Sequence, residues 1–124
     1  MTSSDGARLV VCLPDLPERA HLGELPPNVD VVLVGDEPAQ VPDLRQVDLI
    51  VPLKPVRQAL YELLAGRPGR LRVIQTFSAG VDFLRGRVPE HITVCNARGV
   101  YDGPLAEWVV GAILAMQRGL IASR

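Results

Sequence analysis

Five short, nearly continuous aliphatic runs constrain this chain most. They are Arg8–Leu13 (RLVVCL), Asp30–Val34 (DVVLV), Asp48–Val51 (DLIV), Leu71–Phe77 and Thr93–Asn96 (TVCN). None alternates apolar with polar, so none reads as a strand with one wet face. Continuous runs of this length are expected of strands buried on both faces of a parallel sheet. Helical segments separate some of them. Asp15–Leu25 carries a weak helical pattern broken by prolines. Pro55–Ala65 (PVRQALYELLA) places Val56, Leu60, Leu63 and Leu64 on one face, with Pro55 at the first helical position and Gly66 as the stop. A short helix is expected after Val81, and a long one from Pro104 to about Ile121. The order strand, weak helix, strand, loop, strand, helix, strand, short helix, strand, helix defines an α/β fold. With right-handed crossovers it predicts a flavodoxin-like open parallel five-stranded sheet, with helices on both faces.

Composition limits the function. The 124 residues hold 13 basic and 14 acidic side chains, so the net charge of −1 argues against a nucleic-acid binder. Lys54 is the sole lysine, and the arginines are scattered. Cys12 and Cys95 lie within expected strands without metal-ligand spacing, and read as small reduced thiols. The polar start MTSSDGAR has no apolar signal region, and Pro104–Met116 is too short to span a bilayer. A cytoplasmic, membrane-free protein is expected. The end at Arg124, in or just past a helix, suggests a chain that naturally continues.

Ligands of open α/β sheets sit beyond the carboxyl ends of the strands. Three loops leave such ends with useful chemistry: Pro52–Pro55, Ser78–Asp82 and Ala97–Gly103. In Ser78-Ala79-Gly80-Val81-Asp82 the small residues admit a ligand to the backbone. A positive φ at Gly80 would let successive N–H groups converge on an anion, and the following helix would add its positive end. The competing reading is an empty strand-to-helix turn. Lys54 is placed to meet an anionic group, or is a solvated loop lysine. Tyr101 is a hydroxyl donor or a packing aromatic. His21 and His91 are assigned to the surface, Asp82 to a local cap, and Glu107 to the favourable end of a helix dipole. No metal site is expected. G-x-G, G-x-S-x-G, H-x-x-x-H and C-x-x-C are all missing, which excludes a dinucleotide fingerprint in this stretch.

The run IQTFSAGVDFL followed by TVCNARGVYDGPLAEWVVGAILAMQR resembles the N-terminal half of the D-isomer-specific 2-hydroxyacid dehydrogenases. The shared pattern is a strand, a small-Gly-x-Asp loop, a strand ending in Asn, and a helix opened by Ala-Glu. The likeness is close over Leu71–Arg118 and architectural before that. It implies a substrate-binding domain over 1–103 and an interdomain connector helix over 104–124, with the NAD- or NADP-binding Rossmann domain outside this chain. It implies further that the Gly80 and Val81 amides hold a 2-keto or 2-hydroxy acid carboxylate, with Ala79 beside them. Leu53 and Lys54 would wall the pocket, Tyr101 would touch substrate, and Leu105 would touch the nicotinamide. The catalytic Arg, carboxylate and His of such enzymes fall outside this chain, which is therefore expected to be inactive alone.

The final helix adds a physical argument of its own. Leu105, Trp108, Val109, Val110, Ile113, Leu114 and Met116 go round most of it. The sheet domain is expected to cover one face, leaving the rest for a second domain or a homodimer partner through 104–121. The alternative is a naturally short, non-catalytic binding or dimerisation module of the same fold.

Overall fold

A computed structural model describes residues 7–37, 40–54 and 56–120. Five strands form one sheet: β1 (Leu9–Pro14), β2 (Val29–Val34), β3 (Leu49–Ile50), β4 (Val73–Gln75) and β5 (Thr93–Cys95). Their order is β2-β1-β3-β4-β5, and every pairing is parallel. This is the flavodoxin-like order, with its switch point between β1 and β3. The expected α/β class and five-stranded parallel sheet are the ones observed. Among the described residues there are two α-helices, α1 (Val56–Ala65) and α2 (Asp102–Gln117).

The register explains why the strands read as continuously apolar. Cys12 pairs with Ile50, and Ile50 with Ile74, so these side chains line up on one face. There they join Val34, Leu44, Val47, Leu71, Leu84 and Ile92, and Val56, Leu60 and Leu64 of α1, in a single buried cluster. The intervening residues, Leu13, Val31 and Leu33 among them, point to the opposite face and are half-buried. That face receives a 3-10 turn, Pro17–Leu22, which buries none of its own residues. Grooves of about 680 and 270 Å³ flank the turn, lined by Leu13, Leu22, Val31 and Leu33 on one side and by Leu13, Val51, Gln75 and Phe77 on the other. The two faces are thus unequally covered. The weak helical pattern over Asp15–Leu25 yields only this turn. Pro17 opens it, and Gly23, at φ +68°, closes it.

At the amino ends of the strands, the Asp48 carboxylate ties three segments together. It accepts from the Val10 amide (2.8 Å) and from the Arg70 guanidinium (2.7 Å), which also donates to the Arg8 carbonyl (2.9 Å). Asp48 is mostly buried, at 16% side-chain exposure, so this cluster is better shielded than the exposed Arg8–Asp30 and Arg45–Asp43 pairs.

Several boundaries differ from the sequence reading. The ladders are shorter than the aliphatic runs: Leu71 is fully buried but precedes β4, and Asn96 follows β5. Pro55 and Ile121 lie outside the described residues. Helix α2 begins at Asp102, which leaves Pro104 within the first turn, where no N–H is needed. It ends at Gln117 in a Schellman arrangement. Gly119 takes φ +65°, its amide donates to Met116 O (3.1 Å), and the Leu120 amide donates to Ala115 O (3.0 Å). No described helix is long and apolar enough to cross a membrane.

One expectation about α2 is overturned. The sheet domain was expected to cover one face of it, yet none of its residues is buried. Trp108 is 71% exposed and Met116 70%. The physical reason lies in the connection. Residues 98–101 form a turn that carries the chain off the end of β5, and α2 leaves the sheet rather than folding back on it.

A candidate anion site at the end of strand β4

The loop after β4 is fixed through its carbonyls. Ser78 O accepts from the Ala97 amide (3.1 Å) and from the Thr76 hydroxyl (2.8 Å). Ala79 O accepts from Asn96 Nδ2 (2.8 Å). Gly80 O accepts from the Ser78 hydroxyl (2.7 Å). Thr76 is buried, and its own amide continues the ladder onto Cys95 O (2.9 Å). The sheet pairing of β4 with β5 therefore brings the 78–80 loop against Asn96-Ala97.

The amides of the same loop behave in the opposite way. Among the described residues, none of the Ser78, Ala79, Gly80 and Val81 N–H groups donates a hydrogen bond. Ser78, Ala79 and Gly80 are exposed, and a Cβ built on Gly80 would meet nothing within 4 Å. The loop thus carries a run of unpartnered donors with open space beside Gly80, an arrangement receptive to an anion.

Two details of the expected loop chemistry are corrected. Gly80 does not adopt positive φ; the positive-φ glycines are Gly23, Gly69, Gly86, Gly99 and Gly119. The carbonyl clamps hold the loop without a left-handed residue. The short helix expected after Val81 is a three-residue 3-10 turn, Asp82–Leu84. It has too few aligned peptides to build a helix dipole, so the loop amides are the donors on offer.

The remaining candidates are dispersed. The Leu53 carbonyl accepts from the Arg57 amide (3.0 Å) as α1 begins, and Leu53 is half-buried. Lys54 is exposed and lines a groove of about 600 Å³ with Asp36, Arg57, Tyr61 and Glu62. That groove mixes two cations with two anions, so its charge selects neither sign. No hydrogen bond joins Lys54 to the 78–81 loop among the described residues. Tyr101 is 52% exposed, and its carbonyl accepts the Leu105 amide (2.9 Å). Leu105 is 60% exposed on the first turn of α2. His21, His91, Asp82 and Glu107 are all exposed. Among the described residues there is no cluster of His, Cys, Asp and Glu able to hold a metal. Asn96 and Ser78 were not singled out as site residues from the sequence. The signal for Asn96 was its place at the end of the fifth aliphatic run, which the resemblance pattern also marks, without a role attached.

No protein-family model matches the sequence, and no curated protein matches it. Among solved structures, the chain is similar to phosphoglycerate dehydrogenase from Lactobacillus plantarum, with 22% sequence identity and a TM-score of 0.45. The match covers 90% of this chain and 36% of that one, so the chain spans about a third of that protein's length.

Proposed function

We propose that this chain is the substrate-binding portion of an NAD(P)-dependent D-2-hydroxyacid dehydrogenase. The parent enzyme interconverts a 2-keto acid and a D-2-hydroxy acid by hydride transfer. One observation carries the reading: the amides of Gly80 and Val81 donate no hydrogen bond among the described residues, the space beside Gly80 is open, and the carbonyls around them are engaged. A substrate carboxylate fits such donors, because charge-assisted bonds to backbone N–H groups are stronger than neutral ones. Ala79 lies beside them; Leu53 and Lys54, the latter lining a separate groove in this chain, are assigned to the pocket wall of the complete enzyme, and Tyr101 to a substrate contact there.

In this reading residues 1–103 are the substrate domain, and the 104–124 segment connects to a Rossmann domain. NAD or NADP is bound mainly by that domain, since this chain carries no dinucleotide fingerprint. Leu105 fits a nicotinamide contact, being apolar and uncovered. The polarising Arg, the carboxylate and the general acid His come from beyond this chain, so the chain alone has no activity. The apolar surface of α2 is shared between the second domain and a second copy of the protein, as a homodimer formed through 104–121. The protein acts in the cytoplasm.

Calorimetry with the isolated chain tests this division of labour. Pyruvate is expected to bind weakly and NADH not measurably. Tight NADH binding would contradict the reading.

A further inference from the structure

We propose that Asn96 and Ser78 are positioning residues that aim the Gly80 and Val81 amides at the substrate carboxylate; this rests on the functional reading above. A trans peptide holds its C=O and N–H on opposite sides of one rigid plane. Fixing a carbonyl therefore fixes the direction of the next residue's amide. Asn96 Nδ2 holds Ala79 O at 2.8 Å, which turns the Gly80 N–H away from Asn96. The Ser78 hydroxyl holds Gly80 O at 2.7 Å, which turns the Val81 N–H away from Ser78. One side chain thus serves each amide.

The clamps are themselves supported. Asn96 Oδ1 accepts from the Arg98 amide at 3.3 Å, which sets the side-chain amide with its NH2 toward the loop. The Ser78 carbonyl is held by both Ala97 and Thr76, so the residue carrying the hydroxyl is anchored first. Gly80 needs such help. A glycine outside regular structure, with nothing within 4 Å of its missing Cβ, has no steric barrier to rotating its flanking peptides. Without the clamps, binding would have to order two peptide planes. With them, that cost is met during folding.

Both side chains are exposed, so their bonds add little to global stability. This separates positioning from scaffolding. The test compares wild type with Asn96→Ala, Ser78→Ala and Ser78→Thr, using pyruvate as the probe and the 1H–15N resonances of Gly80 and Val81 as the readout. Asn96→Ala is expected to displace the Gly80 resonance in the free protein. It should weaken pyruvate binding about tenfold, with the thermal midpoint unchanged. Ser78→Ala should do the same through Val81, and Ser78→Thr, which keeps the hydroxyl, should restore binding. Wild-type pyruvate affinity in both alanine variants, with Gly80 and Val81 resonances unmoved, would overturn the proposal alone. A wild-type protein whose Gly80 and Val81 resonances ignore pyruvate would overturn the functional reading and this proposal with it.

Discussion

Asn96, the first residue beyond β5, donates its side-chain amide to the carbonyl of Ala79, 17 residues earlier in the chain, at 2.8 Å. The bond joins the loop after β4 to the loop after β5, and the candidate anion site lies where they meet.

Gly80 is expected to matter for ligand binding and not for folding. Its φ is not positive, and a Cβ there meets nothing, so Gly80→Ala should leave the unfolding free energy within about 0.5 kcal/mol of wild type. On the proposed reading, the same methyl would project into the space a bound carboxylate requires. Paired denaturant titrations and pyruvate titrations check this. A large loss of stability would place Gly80 in the scaffold.

The two faces of the sheet should respond differently to substitution. Leu60 is fully buried against Ile50 and Ile74, and Leu60→Ala should cost about 3 kcal/mol. Val31 lies half-buried on the opposite face, and Val31→Thr should cost less than about 1 kcal/mol. Urea unfolding midpoints provide the measurement.

Cys12 should report folding through its thiol. Burial pushes its pKa up to about 11, against 9.0 for an ordinary thiol. The buried group favours the protonated form, so its contribution is complete below about pH 9 and is lost as pH rises toward 11. The full loss is on the order of 2–3 kcal/mol. Stability measured from pH 8 to 11 should fall more steeply in wild type than in Cys12→Ala. In native protein near pH 8, a thiol reagent should modify the half-buried Cys95 well ahead of Cys12.

Helix α2 should accept charge at no cost to the sheet domain. Trp108 is 71% exposed, so Trp108→Arg should leave the unfolding midpoint unchanged while shifting a concentration-dependent dimer toward monomer in light scattering. In wild type, Trp108 fluorescence should shift to the blue as protein concentration rises. Emission that stays solvent-like at every concentration would argue against the helix as a dimer surface.

Much of this architecture was legible in the sequence, because burial on both faces leaves continuous aliphatic runs. Arg8–Leu13 and Asp30–Val34 read directly as strands, each end within one residue of β1 and β2, and α1 followed from the spacing of Val56, Leu60 and Leu64. Composition could not show that, among the described residues, one sheet face would be covered only by a short turn, since Leu13 and Val31 look the same whether packed or open. Nor could local pattern show α2 standing clear of the sheet, because a helix apolar on every side has no period to reveal its partner. The stop at Gly119 had a local signal, a glycine after the apolar stretch, but the apolar reading ran past it. In the site, the loop itself was visible from its small residues. Its clamping was not, since the Asn96–Ala79 bond depends on β4 pairing beside β5, a tertiary fact. Once the Ser78 and Ala79 carbonyls are held from outside the loop and the Gly80 carbonyl from Ser78 within it, Gly80 has no need of the positive φ its identity suggested.

The most direct test of the central claim is a crystal structure of this chain grown with a high concentration of a 2-keto acid. The account predicts a carboxylate with its oxygens about 2.9 Å from the Gly80 and Val81 nitrogens, over the open side of the loop. It would be contradicted by those two amides turned inward onto internal carbonyls, with the acid bound elsewhere or not at all.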